Sequence, residues 1–207
     1  MKVLLVNGSH HEKGCTYTAL AEVAKALNAN GVETEIYQLS GKKIEGCRGC
    51  WACKKAKQCV FDDGTVNDFV AKAAEFDGFV FGSPVYYASA SGALISFMDR
   101  VFYSGAKFLA YKPAAAVVSC RRAGASTTFD VINKYFTINN MPIVGSNYWN
   151  EIHGNTAEEA AQDEEGLQTM RVLGNNMAWL LKCIEAGKAA GVKYPEYEPK
   201  LRTNFIR

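Results

Sequence analysis

Prolines are few and scattered, five in 207 residues, so no Pro-rich linker divides the chain. Net charge is also scarce: 23 Lys and Arg stand against 21 Asp and Glu, a formal +2 that is too balanced for a protein built to grip nucleic-acid backbones. Long apolar runs are missing. Stretches such as Ala114–Val118 fall far below the ~20 residues a membrane-spanning helix needs. The start, Met1-Lys2-Val3-Leu4-Leu5-Val6, has one basic residue and too short an apolar run for a secretory signal, so it predicts a first strand and no export. Internal repeats and low-complexity tracts are absent. What is present, 48% hydrophobic and 21% charged residues, is a globular composition. One domain over residues 1–207 is expected, burying about 70% of its unfolded surface.

Short β-branched and aromatic runs alternate with longer segments of helical period, the sequence form of βαβ units around a parallel sheet. The spacing predicts strands at Lys2–Val6, Val32–Leu39, Gly78–Gly82, Ala114–Ser119 and Ile143–Tyr148. Four are apolar runs suited to burial on both faces, whereas Val32–Leu39 alternates and belongs at an edge. Helices are predicted at Thr16–Ala29, Thr65–Phe76, Ser91–Tyr103, Ser126–Asn139 and Leu167–Ala190. In the third of these, Leu94, Ile95, Phe97, Met98, Val101 and Phe102 make one apolar stripe for core packing. The fold class is α/β: a doubly wound, five-stranded parallel sheet, order 2-1-3-4-5, with helices on both faces. A ligand then belongs at the carboxyl edge, over the first, third and fourth strand ends. Two connections are long, 40–64 with its cysteines and 147–166 with its acidic end; residues 191–207 form a C-terminal tail.

Asn7-Gly8-Ser9-His10-His11-Glu12-Lys13-Gly14-Cys15-Thr16 runs from a strand straight into a helix, where backbone N–H groups and the helix dipole favour an anion. Ser9, Thr16 and Thr18 add hydroxyls. The loop is neither a Walker loop nor G-x-G-x-x-G, which lowers the case for ATP or a Rossmann dinucleotide. A Cys-x5-Arg phosphatase loop is excluded, because the position it would need for arginine is Ala21. A phosphate monoester held by neutral donors is the reading that remains.

After the third strand stands Gly82-Ser83-Pro84-Val85-Tyr86-Tyr87, and the helix beyond it carries Asp99-Arg100. With the Gly8–Thr16 loop, Ser119–Ala125, Tyr148-Trp149, His153-Gly154 and the terminal Thr203-Asn204-Phe205-Ile206-Arg207, this resembles the flavodoxin-like NADPH-dependent FMN reductase family. Its iron-sulfur flavoprotein branch is the nearer likeness. The resemblance implies FMN as cofactor, with Ser9, His10, Cys15 and Thr16 at its phosphate. It sets Pro84, Val85, Tyr86 and Tyr87 along the isoalloxazine, and Ser119, Cys120, Arg121 and Gly124 on the other side. A flavin needs flat apolar walls and polar groups at its edge, and those residue types supply both. Arg121 and Arg122 are candidates to stabilise the reduced flavin's charge or to grip a pyridine-nucleotide phosphate. Tyr148 and Trp149, placed at the last strand's exit, read as aromatics near the flavin or a neighbouring subunit, or as core. His153 is a candidate acid near a bound quinone, or a solvated loop histidine. No residue is assigned as catalytic, because hydride transfer to a flavin asks the protein only for stacking and orientation.

Seven cysteines is an odd count, and four lie within the thirteen residues Cys47-x2-Cys50-x2-Cys53-x5-Cys59. That suits a reducing compartment, the cytoplasm, with metal or redox chemistry. Three thiolates at three-residue steps can wrap one face of a cluster while a fourth returns to it. Zinc usually prefers two Cys-x2-Cys pairs set farther apart. The branch this pattern resembles binds a [4Fe-4S] cluster; a disulfide or free thiols stays open beside it. Arg48, Lys54, Lys55, Lys57 and Lys43 would offset thiolate charge. Cys120 and Cys183 read as small core residues.

The resemblance implies an NAD(P)H-dependent flavin or quinone reductase that relays electrons through the cluster where one is bound, and that forms a homodimer or homotetramer. The alternative is a flavodoxin-like electron carrier that takes electrons from a ferredoxin-type partner.

Overall fold

A computed structural model describes residues 1–61 and 64–205. Ile206 and Arg207, the end of the terminal motif, lie outside the described residues. In chain order the elements are β1 (Lys2–Asn7), α1 (Cys15–Ala29), β2 (Glu33–Gln38), α2 (Cys53–Ala56), α3 (Val66–Ala73), β3 (Gly78–Tyr86), β4 (Ser89–Ala90), α4 (Gly92–Leu109), β5 (Ala114–Cys120), α5 (Ala125–Ile138), β6 (Glu151–His153), α6 (Ala157–Ala160) and α7 (Glu164–Ala189). The parallel sheet has the order β2-β1-β3-β5-β6, which is the predicted flavodoxin-like winding once two-residue β4 is set aside. β4 folds back antiparallel on the end of β3.

The period of two along each central strand divides the core into two layers. Leu4, Val6, Phe79, Phe81 and Ala116 face α3, α4 and α5, while Val3, Leu5, Val80, Ala115 and Val117 face α1 and α7. Phe69 of α3 is the aromatic hub of the first layer, 4.9 Å from Phe97, 5.3 Å from Tyr37 and 6.3 Å from both Phe79 and Phe81, centroid to centroid. β2 lies at the edge, as its alternation requires. Ser91 caps α4 by accepting from Leu94 N, and the helix runs on to Leu109, beyond the predicted Tyr103.

The fifth sheet strand departs from the prediction. Ile143 makes one parallel bridge to Ala114 and the ladder then breaks, resuming only at Glu151–His153 beside Val118–Cys120. The cause is local chemistry. Ser146 Oγ bonds the Tyr148 carbonyl at 2.6 Å and Asn150 Oδ1 at 2.7 Å, curling the chain into a turn. Asn150 fills the gap, its Nδ2 donating to Ala116 O and its carbonyl accepting from Val118 N. Tyr148 and Trp149 therefore sit exposed in the turn that precedes the strand, not at its exit, their rings 5.1 Å apart. Cys183 is likewise corrected: it is exposed on α7, outside the apolar stripe that packs on α1.

Beyond α7 the tail has no regular structure. Tyr194 and Tyr197 stack on Tyr111, at 4.7 and 6.4 Å, beside the Lys112-Pro113 lead into β5. That is the amino edge of the sheet.

Candidate functional site

The carboxyl ends of β1, β3, β5 and β6 open onto one cleft of about 630 Å³, within the ~300–1,000 Å³ common for small-molecule sites. Its floor begins in the loop after β1. Asn7 Oδ1 accepts from Ser9 N, and Asn7 Nδ2 reaches both Glu12 O and Gln38 Oε1, so two side chains at neighbouring strand ends fix the turn. Gly8 N donates to Gly82 O at 2.8 Å, and Ser91 Oγ donates to Gly8 O at 2.6 Å. A Cβ on Gly8 would stand 2.8 Å from Gly82 O and from Leu94 Cβ, so only glycine lets β1 pass this close to β3 and α4.

The loop delivers Gly14, Cys15 and Thr16 to the cleft wall, and no side chain caps α1. The N–H groups of its first turn are therefore left for a ligand, at the positive end of a fifteen-residue helix. Ser9 Oγ accepts from His11 N, which leaves its own proton to donate outward. Thr18, by contrast, turns back onto Gly14 O and contributes nothing to the cleft. Thr16 Oγ1 and Ser119 Oγ bond each other at 2.7 Å, both buried, and tie α1 to β5 beneath the cleft. Replacing one partner strands the other: Thr16→Val or Ser119→Ala should each cost about 1–3 kcal/mol, and the double variant less than the sum. Chemical denaturation of the four proteins of that cycle checks it, and strict additivity would refute the pairing.

Of the predicted cofactor residues, Ser9, Cys15, Thr16, Pro84, Val85, Tyr86, Ser119, Cys120 and Arg121 line this cleft. Three do not. His10 is exposed, and it is its backbone N that meets Tyr86 Oη, at 3.3 Å, while His11 takes the lining position. Tyr87 stands wholly exposed at the tip of the β3–β4 hairpin, with φ of 60°, because the chain turns back there instead of continuing along the cleft. Gly124 lies behind the wall: with φ of 89° it begins α5, and a Cβ there would meet Val85 Cγ1 at 2.8 Å, so its role is to leave room for Val85. Arg122 is exposed beside Arg121.

The wall opposite Ser9, formed by 154–158, carries lining residues that the sequence reading did not assign to the cofactor. The signal was legible: Thr156-Ala157-Glu158-Glu159 is a helix-start pattern, and Thr156 Oγ1 accepts from Glu159 N while Glu159 Oε2 accepts from Asn155 N. Cys15 Sγ bonds Gly154 O at 3.4 Å and Gly154 N bonds Cys120 O, which joins both thiol-bearing segments to this wall. Burial pushes the Cys15 thiol up, and the carboxylates of Glu159 and Glu158 add to it; burial and then Glu151 do the same for Cys120. Both thus line the cleft as neutral groups at neutral pH. Backbone and side-chain donors hold Glu158 below the usual carboxylate range. His153 borders a second cleft of about 240 Å³ with Tyr148, Trp149 and Asp163, its Nδ1 3.7 Å from Asp163 Oδ2.

The four clustered cysteines line one small pocket against α4, with Trp51, Phe61, Arg100 and Tyr103. Cys47 and Cys50 are exposed, Cys53 is half-buried with Sγ 3.6 Å from Tyr103 O, and Cys59 is buried. Burial pushes the Cys53 thiol up, and Cys50, Cys59 and Cys47 contribute, so the thiols feel one another. Among the described residues no three His, Cys, Asp or Glu side chains converge on one ion-sized point. The pocket holds about 30 Å³, with Cys47 and Cys50 on its exposed side. Trp51, at φ of 59°, packs edge-on against Tyr103 at 5.2 Å under Lys54 Nζ. Gly49 and Trp51, both left-handed, turn the backbone sharply on either side of Cys50.

No helix among the described residues is long and apolar enough to cross a membrane. The fold is shared with solved structures at low identity. RosB bound to 8-demethyl-8-formylriboflavin-5'-phosphate superposes with a TM-score of 0.68 at 14% identity, covering 100% of this chain and 93% of that one. A flavodoxin from the domain Archaea gives 0.61 at 16%, covering 88% and 99%. In sequence, an iron-sulfur flavoprotein of Methanocaldococcus jannaschii is 34% identical over 194 residues, which is 89% of this chain and 100% of the relative. Another, from Archaeoglobus fulgidus, is 26% identical over 198 residues, 87% and 97% of the two chains. Residues 1–156, which carry the cysteine pocket and all but the last two lining residues of the cleft, match the family described as NADPH-dependent FMN reductase, and the chain belongs to that family.

Proposed function

We propose that the chain is an FMN-dependent oxidoreductase that draws electrons from NAD(P)H and passes them to a flavin or quinone, with an iron-sulfur cluster on its cysteine loop. The observation that carries the flavin site is the convergence of an uncapped helix start, an apolar strand end and two neutral thiols on one cleft. The residues fit the group. The N–H groups of the first turn of α1 and the Ser9 hydroxyl hold a phosphate monoester. Pro84, Val85 and the half-exposed Tyr86 give a flat wall that excludes water from one face of a planar ring. Arg121 brings a positive charge to the cleft rim, where it serves either a reduced ring or a nucleotide phosphate. FMN, when bound, supplies a ring that takes a hydride from a nicotinamide and releases electrons singly or in pairs.

For the cluster, the donor set is the support: four thiols of one loop border a single pocket of mostly apolar lining. The Cys47-x2-Cys50-x2-Cys53-x5-Cys59 spacing suits a multi-iron cluster better than one tetrahedral zinc. Cys47, Cys50, Cys53 and Cys59 would hold it, and it would supply single electrons. Seven free thiols and no disulfide fit a reducing cytoplasm. The exposed aromatics Tyr86 and Tyr87 at the carboxyl edge, with Tyr148 and Trp149 in the turn before β6, support assembly into a homodimer or homotetramer.

The test is the visible spectrum of anaerobically purified protein titrated with NADPH. Rapid bleaching of a flavin band is expected; bleaching only by a reduced ferredoxin would replace the reductase with the electron carrier, and protein that takes up no FMN would remove both. For the cluster, iron and acid-labile sulfide are measured after anaerobic reconstitution of Cys53→Ala beside wild type. Iron should fall to less than half, and equal iron would strike Cys53 from the ligands.

A further inference from the structure

The cations expected to balance the cysteine loop, among them Lys54, Lys55 and Lys57, lie on its solvent side. A different one is inside. Arg100, on the buried side of α4 next to Phe97, Met98 and Val101, is 2% exposed. A guanidinium is not buried among such neighbours unless its donors are placed. Three of them are: Nε donates to Cys59 Sγ at 3.3 Å, Nη1 donates to Glu45 O at 3.3 Å, and Nη2 donates to Phe61 O. Glu45 lies two residues before the first clustered cysteine and Phe61 two residues after the last. One planar fork thus spans both ends of the loop and touches one sulfur.

We infer that Arg100 is the positioning residue of the cysteine site: it closes the base of the loop on α4 and donates a charge-assisted hydrogen bond to the Cys59 sulfur. This rests on the cluster reading above. The division of labour follows from the geometry. Cys53 and Cys59 are held against the helix from below, through Tyr103 O and Arg100, while Cys47 and Cys50 remain on the outward limb. The loop can then open and close on a fixed half-site, which lowers the entropy lost when four ligands gather. Lysine cannot replace the fork, because one ammonium on a flexible stem does not reach three acceptors in a plane. Hydrogen bonds to ligand sulfur raise a cluster's reduction potential, so the same side chain sets the electron affinity of the site.

The experiment compares wild type, Arg100→Gln and Arg100→Lys in the full chain. Without metal, native-state alkylation by iodoacetamide is followed for each cysteine by peptide mass spectrometry. Cys59 should react at least tenfold faster in both variants while Cys47 and Cys50 stay as in wild type. After anaerobic reconstitution with ferrous iron and sulfide, iron per chain should fall in both variants. The cluster that does form should have a midpoint potential more negative than wild type, and Arg100→Lys, which keeps the charge, should fall between. FMN uptake serves as the folding control, and should Arg100→Gln fail it, Arg100→Lys carries the comparison alone. Unchanged Cys59 protection with unchanged iron and potential would overturn the inference. Wild type that binds no iron while the variants still expose Cys59 would instead overturn the cluster reading, and the role of Arg100 toward it.

Discussion

Gly8→Ala is expected to weaken FMN binding by about 100-fold while leaving the chain folded. The added Cβ meets a backbone oxygen, Gly82 O, and Leu94 Cβ, both at 2.8 Å, and neither is the loose end of a side chain. Something must move, at a cost of about 1–3 kcal/mol for an overpacked contact. What moves most cheaply is the loop itself, since β3 lies between β1 and β5 and the face of α4 that carries Leu94 is buried in the core. Displacing it stretches Gly8 N–Gly82 O and Ser91 Oγ–Gly8 O, and carries Ser9 and the start of α1 away from their common focus. About 2.7 kcal/mol of lost binding corresponds to the 100-fold. Flavin fluorescence quenching measures it directly, with thermal unfolding of the flavin-free protein as the control. Wild-type affinity in Gly8→Ala would show that the phosphate does not depend on this turn.

Phe69→Ala has the opposite signature. Its ring touches Tyr37, Phe79, Phe81 and Phe97 in the layer under α3 and α4, away from the cleft. Removing it takes out a fully buried aromatic and leaves a void between helices and sheet, for which about 3–5 kcal/mol is the usual range. For a protein whose whole stability is on the order of 5–15 kcal/mol, that lowers the melting temperature by several degrees or more. FMN affinity measured well below the melting point should stay within about threefold of wild type, since none of those four rings lines the cleft. A denaturation midpoint equal to wild type would mean that the layer repacks around the gap.

How much of this was legible from sequence varied with how local the cause was. The first four sheet strands, the edge position of β2 and the five long helices were readable because periodicity and burial act on neighbouring residues. The fifth strand was misplaced because Ile143 and Val144 look like a strand, while the break depends on Ser146 and Asn150 finding partners across the turn. Nine of the twelve positions expected at the cofactor line the cleft, since loops at the carboxyl edge of this winding have few other places to go. Tyr87 stands off the cleft because of the two-residue β4, which a pattern this short cannot announce. Arg100 was read only as half of an Asp-Arg pair. Among the described residues its side-chain partners lie 39 to 55 residues away, on a loop that docks against it only after folding. The hint available was a cation set within an apolar stripe, three residues past Phe97 and one before Val101.

The tyrosine stack that fastens the tail to Tyr111 also fixes which way the molecule faces when it is held from that end. An electrode, bead or fused domain attached through residues 198–205 would sit beneath the amino edge of the sheet. The carboxyl-edge cleft would then look outward into the medium, open to small solutes. Immobilised voltammetry is practical in that orientation, whereas a linker grafted into the β3–β4 hairpin would shade the opening it was meant to report on.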